Sequence, residues 1–377
     1  MAPGTIANGA TNGVSNGVEN PDVLDSTSRR PTFYKQNPHL SGKIALEEHV
    51  GSDWFNASFT YPITEGGCEG VYYHKSHLED VVSRLVDIPE RIKQMDAAGI
   101  AITAVSLTSP GIQGVFDKAT AIDFATRAND QMYKLYRTGP HAHRFRTWGS
   151  VAMQDPQAAA KEAERCVKEL GCIGILINGF TDIGSPDAYD IQYMDEAQCD
   201  PFWAKLSELD VPLYLHPRIP APGQTRSLKG YEFLAGSPWG FALETAEHCL
   251  RLMCSGLFDR YPNLRIVLGH CGEGLPFAID RTDHRLRHFN EGGLSNHKHP
   301  LCYYFTKNFW ITTAGVQKQS VLESSIREVG IDRVLFSMDY PMEDMQETAE
   351  WFDGLEMDAT SRAKLAYGNA KILLGIK

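Results

Sequence analysis

From Gly42 onward, the pattern of hydrophobic and polar positions changes repeatedly along the chain. Short runs of apolar and β-branched residues, each ending in polar residues, alternate with longer stretches in which apolar residues recur at helical spacing. Stretches such as QAAAKEAERCVKEL and SVLESSIREVG predict the helices. The apolar runs predict strands at 43–49, 102–108, 145–153, 174–178, 212–216, 266–270, 309–315 and 334–340.

Strands that alternate with helices in this way over roughly 330 residues predict the α/β class and a closed parallel (β/α)8 TIM barrel. The alternative is a doubly wound open sheet. Eight strands are many for such a sheet, and no G-x-G-x-x-G motif follows a predicted strand. We therefore predict one barrel domain over residues 42–377.

Two segments are too long for ordinary connections, 50–84 and 218–238. Both follow predicted strands, so we expect them at the C-terminal mouth of the barrel, where an insertion can form an active-site lid or a subunit contact. Ordinary core or interface packing is the alternative for the first segment. Its aromatic residues are Trp54, Phe55, Phe59, Tyr61, Tyr72 and Tyr73.

Residues 1–41 differ from the rest of the chain. The stretch ANGATNGVSNGVEN offers little apolar surface to bury, which predicts a disordered tail. It lacks the apolar core of a signal peptide, and a transit peptide would carry more arginine near its start.

Composition narrows the choice of partners. The formal net charge of −11 argues against a nucleic-acid-binding protein, so a small molecule is the expected partner. The eight cysteines contain no C-x-x-C pair, which predicts free thiols and a reducing, cytoplasmic location. No apolar run is long enough to span a bilayer, so no membrane association is expected.

Side chains that bind metals or transfer protons stand at the ends of four predicted strands. The carboxyl ends of barrel strands meet at one face, where such barrels build their sites. One strand-end histidine alone would be more typical of a structural residue. The set taken together is what indicates a site, and it comprises Glu47, His49, His216, His270 and Asp339.

The first strand ends in two carboxylates and a histidine, KIALEEH. Because side chains alternate along a strand, Glu47 and His49 are expected to share one face with Ala45. Glu48 is expected on the opposite face with Leu46, directed at the surrounding helices or at capping groups near the strand end.

Several buried ionisable groups without a cation would be costly. Two carboxylates and two imidazoles around one divalent ion remove that cost. The candidate ligands include no sulfur, so Zn²⁺, Mn²⁺ and Mg²⁺ all remain open.

The order of the motifs QMDAAGI, SLTSPGIQ, ATRAND, LINGF, ELDVPLYLHPR, LGHCGEGLPF, ITTAG and DRVLFSMDYP resembles the amidohydrolase superfamily. The resemblance covers the chain from GKIALEEH to its end. It is to the metal-dependent nonoxidative decarboxylases that act on γ-resorcylate (2,6-dihydroxybenzoate) or 2,3-dihydroxybenzoate, and more distantly on 5-carboxyvanillate. It implies an amidohydrolase-type barrel, decarboxylation of an ortho-hydroxybenzoate, and a homodimer or homotetramer.

Carried over residue by residue, the resemblance implies roles at seven positions. His270 would be a catalytic residue oriented by Glu273, and Arg281 would meet the carboxylate of the substrate. The proton for the ring carbon could come from Asp339 or, through water, from the His270–Glu273 pair, and the sequence does not choose between them. A helix N-terminal acid is the plain alternative for Glu273, and a surface residue is the plain alternative for Arg281. The implied metal ligands are Glu47, His49, His216 and Asp339.

Two further features favour one metal ion and disfavour hydrolysis. Binuclear hydrolases of the superfamily resemble H-x-H at the first strand and carry a lysine at the fourth, whereas this chain has Glu47-x-His49 and Asn178. The sequence differs from the decarboxylases at positions near the expected pocket, which leaves open the ring substituents that the substrate can carry. The residues at these positions are Asp280, Val316, Gln317 and Met342.

Three alternatives stay open. The same metal site could hydrolyse a lactone or a cyclic amide. A binding protein could keep the fold without the chemistry, although the motif residues are all present. A decarboxylase of another acid, such as salicylate, a methylsalicylate or a pyrimidine carboxylate, would use a similar mechanism.

Overall fold

The computed structural model describes residues 26–51, 54, 73–185, 187–289 and 295–376. Eight parallel strands form one sheet in which each strand pairs with the next, and a bridge between Glu48 and Tyr340 brings the first strand beside the last. The predicted TIM barrel is therefore confirmed. Its strands are β1 (Lys43–Val50), β2 (Ile100–Leu107), β3 (Phe145–Ser150), β4 (Gly174–Asn178), β7 (Leu213–His216), β8 (Ile266–Leu268), β9 (Phe309–Thr312) and β10 (Val334–Leu335). The two strands between β4 and β7 form a separate hairpin, β5 (Thr181–Ser185) and β6 (Ala188–Gln192).

α-Helices surround the barrel. Aspartates begin several of them: the side chains of Asp87, Asp117, Asp155, Asp344 and Asp358 each accept a hydrogen bond from a backbone N–H of the first turn. In the described residues the helices are Ser26–Gln36, Lys75–Arg84, Ile88–Ala98, Lys118–Met132, Pro156–Lys168, Asp200–Leu209, Gly240–Cys254, Leu257–Arg260, Leu275–Leu286, Leu301–Asn308, Gln319–Val329, Met345–Asp353, Ala359–Ala363 and Asn369–Leu374.

The barrel has two apolar layers. The larger layer lies between the strands and the helices around them. The smaller layer fills the barrel interior with side chains from all eight strands, among them Trp148, Tyr214 and Leu335. The helix Asn369–Leu374 adds Ala370 and Leu373 to this interior layer. A filled barrel leaves the C-terminal mouth as the place for polar chemistry.

One strand departs from the predicted alternation of faces. Ile44 and Leu46 belong to the interior layer, whereas Ala45 packs in the outer layer. The pairing of β1 with β2 shifts between Ala45 and Glu48, which marks a β-bulge. Glu47 and His49 do share a face, as predicted, but it is the face of Leu46, and the prediction that pairs them with Ala45 is wrong because of the bulge.

The predicted disordered tail is too long. The helix Ser26–Gln36 packs against the barrel: Tyr34 donates a hydrogen bond to Asp353 at 3.0 Å, and Arg30 lies 3.3 Å from Glu350. A Cβ atom at Gly99 would lie 2.6 Å from the Tyr34 ring, so the glycine admits that ring. Composition did not predict this helix, because a few specific side-chain contacts hold it against the barrel and composition does not reveal such contacts. Residues 1–25 lie outside the described residues.

The two insertions have different outcomes. Most of 50–84, including Phe55, Phe59, Tyr61 and Tyr72, lies outside the described residues. The segment 218–238 forms short 3-10 turns at Gln224–Leu228 and Glu232–Ala235. An antiparallel hairpin, β5 (Thr181–Ser185) and β6 (Ala188–Gln192), was not predicted and follows β4 directly. None of the helices in the described ranges has both the length and the hydrophobicity of a transmembrane segment.

Candidate metal centre

Four of the predicted site residues converge at the barrel mouth. One ligand atom from each of Glu47, His49, His216 and Asp339 lies within 4.8 Å of the others. Glu47 and His49 come from the end of β1, and His216 is the last residue of β7. Asp339 follows β10. The bulge in β1 and the ends of distant strands thus bring two carboxylates and two imidazoles together.

Glu47 is the most enclosed of the four. Its Oε2 accepts hydrogen bonds from the Tyr214 hydroxyl and, at 3.3 Å, from the Thr312 hydroxyl. Its Oε1 is buried without a hydrogen-bond partner and lies 3.3 Å from Nε2 of His216. One oxygen is therefore held by the protein, and the other is left for a ligand.

Glycine at position 269 makes room for this carboxylate. A Cβ atom there would lie 2.5 Å from Oε2 and 2.9 Å from Oε1 of Glu47. That approach is closer than real Cβ contacts allow, so any larger residue would displace Glu47. The G of the LGH motif thus has a steric role beside the histidine.

The protonation states suit a cation. Burial raises the pKa of Glu47 to about 7, because an isolated buried carboxylate is poorly solvated. Burial and the neighbouring His49 hold the pKa of His216 well below its usual range, so its imidazole is neutral, as metal binding requires. A divalent ion would stabilise the buried Glu47 carboxylate and could bind the neutral His216 imidazole. The residues therefore fit a mononuclear metal site.

His49 is oriented from both sides of its ring. Its Nδ1 lies 3.3 Å from the Ser106 hydroxyl, and its Nε2 lies 3.1 Å from Oδ1 of Asp339. The ring packs edge-on against His216, with centroids 4.6 Å apart. Such outer contacts fix the tautomer and direction of a ligating histidine.

His270 and Glu273 lie in a turn of unusual backbone. His270, Cys271 and Glu273 have φ values of 49°, 55° and 56°, a left-handed region that these residues rarely adopt. The turn sets Nδ1 of His270 2.6 Å from Oε1 of Glu273. A Cβ atom at Gly315 would lie 2.8 Å from the His270 ring, so the glycine admits that ring. The predicted His270–Glu273 contact is present.

His270 also lies beside the four-residue cluster of Glu47, His49, His216 and Asp339. Nε2 of His270 lies 3.5 Å from Oδ2 of Asp339. Burial alone would lower the pKa of His270, but the charges of Glu273 and Glu47 outweigh it and hold that pKa well above its usual range. Burial alone would raise the pKa of Asp339, but hydrogen bonds with His270 and His49 lower it. Both pKa shifts favour a proton on the His270 imidazole over a proton on Asp339.

Arg281 is not among the converging residues. It is exposed on the helix Leu275–Leu286, and no hydrogen bond or ion pair involves it within the part of the chain that the structure describes. Its neighbour Asp280 is also exposed, whereas Gln317 donates a hydrogen bond to Thr348 at 2.9 Å. A contact between Arg281 and a substrate stays a prediction.

Several supporting residues escaped the sequence analysis. Tyr214 stands two positions before His216, so strand alternation was a signal that both share the interior face. Ser106 and Thr312 carried no comparable signal, because a hydroxyl in a strand is common. Gly269 was visible in LGH, but only the position of Glu47 explains it.

Comparison with known proteins agrees with this geometry. The amidohydrolase family model matches residues 74–376. The γ-resorcylate decarboxylase of Polaromonas sp. (strain JS666) is 42% identical over 335 residues, which are 89% of this chain and 98% of that protein.

Solved structures give the same result. The structure of 2,6-dihydroxybenzoate decarboxylase complexed with 2,6-dihydroxybenzoate has a TM-score of 0.81 at 39% identity, covering 89% of this chain and all (100%) of that one. The dihydroxybenzoic acid decarboxylase from Polaromonas sp. JS666, with bound manganese and the inhibitor 2-nitroresorcinol, has a TM-score of 0.81 at 40% identity and coverages of 89% and 97%. The fold, the motif order and these similarities together establish that the chain belongs to the amidohydrolase family.

Proposed function

We propose that the protein catalyses the nonoxidative, metal-dependent decarboxylation of an ortho-hydroxybenzoate, of the 2,6- or 2,3-dihydroxybenzoate type, to the phenol and CO₂. The observation that carries the proposal is the placement of the His270–Glu273 pair beside the four-residue cluster, 3.5 Å from Asp339. The similarity to γ-resorcylate decarboxylases supports the substrate class. Carboxylation of the phenol in high bicarbonate would be the reverse reaction in the same site.

Glu47, His49, His216 and Asp339 are the residues that would hold one divalent cation. When bound, the ion would supply positive charge for the carboxylate and phenolate oxygens of the substrate. We propose Mn²⁺, because manganese is bound in a similar structure, with Zn²⁺ and Mg²⁺ as alternatives.

The chain of Glu273, His270 and Asp339 is suited to carry the proton. Decarboxylation requires a proton on the ring carbon that bears the carboxylate, and loss of CO₂ then returns the bonding electrons to the ring. Glu273 holds the His270 imidazole at Nδ1, which leaves Nε2 directed toward Asp339. We propose that the proton stored on His270 reaches the ring either directly or through Asp339.

The first test is CO₂ release from a panel of aromatic acids, with and without EDTA. The panel contains 2,6- and 2,3-dihydroxybenzoate, salicylate, 5-carboxyvanillate and a methylsalicylate. We expect release from a dihydroxybenzoate that stops with EDTA and returns with added Mn²⁺. No release from any acid by protein shown to contain metal would contradict the assignment, and hydrolysis of lactones would then support the hydrolase alternative.

A second test concerns Arg281, which we propose binds the substrate carboxylate. Arg281→Met is expected to raise KM for the preferred acid about tenfold with a smaller change in kcat, because one charge-assisted hydrogen bond is lost. Arg285→Met is the matched control, since Arg285 is exposed one turn further along the same helix. Equal KM values in the two variants would remove Arg281 from the substrate site.

Other properties remain proposals of the same kind. We place the catalytic domain at residues 42–377. The helix Ser26–Gln36 contacts it through Asp353. A homodimer or homotetramer and a cytoplasmic location follow from the family resemblance and the cysteine pattern, and sedimentation measurements would test the former.

A further inference from the structure

Glu48 is a buried carboxylate to which the proposed chemistry gives no task. It stands between Glu47 and His49 in sequence, is fully enclosed (0% exposed), and faces the seam where β1 meets the chain after β10. Its Oε1 accepts hydrogen bonds from the Ser337 hydroxyl at 3.0 Å and from the Met338 N–H at 3.1 Å. Its Oε2 accepts a hydrogen bond from the Tyr340 N–H at 3.3 Å.

These contacts enclose Asp339. Met338 and Tyr340 are its two neighbours in sequence, so one carboxylate holds the backbone on both sides of a proposed metal ligand. The Asp339 N–H itself donates to the carbonyl of Glu47 at 3.1 Å, and the His49 N–H donates to the carbonyl of Tyr340 at 2.6 Å. The two chain segments that carry three of the four ligands are therefore joined here.

The segment needs such support for two reasons. The ladder between β9 and β10 ends at Leu335, four residues before Asp339. Asp339 has φ of 75°, a left-handed conformation that is unfavourable for a residue other than glycine unless its surroundings impose it. The β9–β10 ladder does not reach this residue, so the bridge to β1 and the Glu48 contacts on either side of Asp339 are what restrain it.

Neighbouring groups reinforce the same seam. The Ser337 hydroxyl, which donates to Glu48, accepts hydrogen bonds from the N–H groups of Leu46 at 3.1 Å and Glu47 at 2.6 Å. Arg91 donates to the carbonyl of His49, and its guanidinium lies 4.4 Å from the centre of the Tyr340 ring. The Ser337 hydroxyl and the Arg91 guanidinium thus bind backbone atoms of the proposed ligands Glu47 and His49.

We propose that Glu48 is a positioning residue that sets the separation between the Glu47–His49 pair and Asp339, and thereby the affinity of the centre for a divalent cation. The inference rests on the proposed ligand set. Its chemical basis is that both carboxylate oxygens accept hydrogen bonds, which an amide of the same size cannot reproduce. In Glu48→Gln, an NH₂ group must face an N–H or hydroxyl donor in either orientation.

The test is equilibrium dialysis of Mn²⁺ against wild type and Glu48→Gln. Residues that orient metal ligands typically contribute a factor of 10–100 to affinity, so we expect the Kd for Mn²⁺ to rise about 10- to 100-fold. The electron paramagnetic resonance spectrum of bound Mn²⁺ should also change, because the ligand arrangement is altered. A residue that only stabilised the fold would change neither quantity.

Asp353→Asn is the matched control at the opposite end of β1. The Asp353 carboxylate is also buried and accepts hydrogen bonds from Lys43 at 3.2 Å and from Tyr34 at 3.0 Å. We expect both variants to lower the thermal midpoint measured in EDTA, but only Glu48→Gln to weaken Mn²⁺ binding. If Glu48→Gln does not fold, Ser337→Ala removes one of the same contacts and should raise the Kd about tenfold.

The outcomes separate this inference from the proposed function. Equal Mn²⁺ affinity in wild type and Glu48→Gln, or equal losses in Glu48→Gln and Asp353→Asn, would overturn the positioning role and leave the metal site intact. A wild type that binds no Mn²⁺ and no other divalent ion would overturn the ligand set and the inference together.

Discussion

His270→Asn is expected to lower kcat for decarboxylation by about 10² to 10⁴, the usual contribution of a positioned acid, while the bound Mn²⁺ is retained. The reason is that His270 lies outside the four-residue cluster but 3.5 Å from Asp339, with its other nitrogen 2.6 Å from Glu273. The measurements are initial rates of CO₂ release and metal content per chain. In D₂O, the wild-type product should carry one deuterium at the carbon that lost CO₂.

Two companion variants sharpen this prediction. Glu273→Gln keeps the size of the side chain but removes the charge that favours the imidazolium, so its kcat should fall less than that of His270→Asn. His284→Asn is the control, because His284 is exposed on the helix Leu275–Leu286. A kcat in His270→Asn equal to that of the control would exclude His270 from the proton transfer.

Asp339→Ala is expected to reduce activity to the level of wild type in EDTA. Asp339 supplies one of the four proposed ligands and lies 3.5 Å from Nε2 of His270, so its loss removes a proposed metal ligand and interrupts the proposed path of the proton. Mn²⁺ affinity should fall by at least about 100-fold, the upper range for residues that merely support a ligand. Dialysis and rate measurements at rising Mn²⁺ concentrations would check both effects.

The metal titration also separates the two roles of Asp339. Activity that returns fully when excess Mn²⁺ saturates Asp339→Ala would confine this residue to metal binding. Persistent inactivity at full occupancy would support its part in the proton transfer. Asp332→Ala, an exposed aspartate that pairs with Lys364, is the control and should behave as wild type. Full metal binding and full rates in Asp339→Ala without added metal would contradict the site.

The order of the barrel was predictable because each strand is an apolar run of its own, and parallel strands with helices between them have few arrangements. The convergence of the candidate ligands was predictable for a related reason. Glu47, His216 and Asp339 each interrupt or end such a run, and the barrel brings strand ends together. Periodicity predicted where the strands end, and residue type indicated which strand-end side chains could bind a metal or transfer a proton.

The failures have local causes. The bulge in β1 places Leu46 and Glu47 on one side, a change that strict alternation cannot anticipate. The helix Ser26–Gln36 has little apolar surface and depends on partners more than 300 residues away, such as Asp353, 319 residues after Tyr34. The hairpin β5–β6 was hidden because its short strands mix polar and apolar residues without a long run.

Glu48 shows what the sequence could predict about a residue and what required the structure. Sequence placed it away from the metal ligands and suggested capping groups near the strand end as one possibility. Only the structure shows that the groups it caps are the N–H donors on either side of Asp339. Long-range partners of this kind follow from the closure of the barrel, which no local pattern encodes.

The seam has a consequence for synthesis of the protein. His49 and Asp339, which meet at 3.1 Å, are separated by 290 positions. A ribosome must therefore make nearly the whole polypeptide before the acidic end of β1 finds its partners, and contacts of such long sequence separation form slowly. Until residues 337–340 have been made, Glu48 lacks the hydrogen-bond donors that enclose it in the folded barrel. Binding of the proposed divalent ion, which needs Asp339, is therefore expected only after nearly all of the chain has been synthesised.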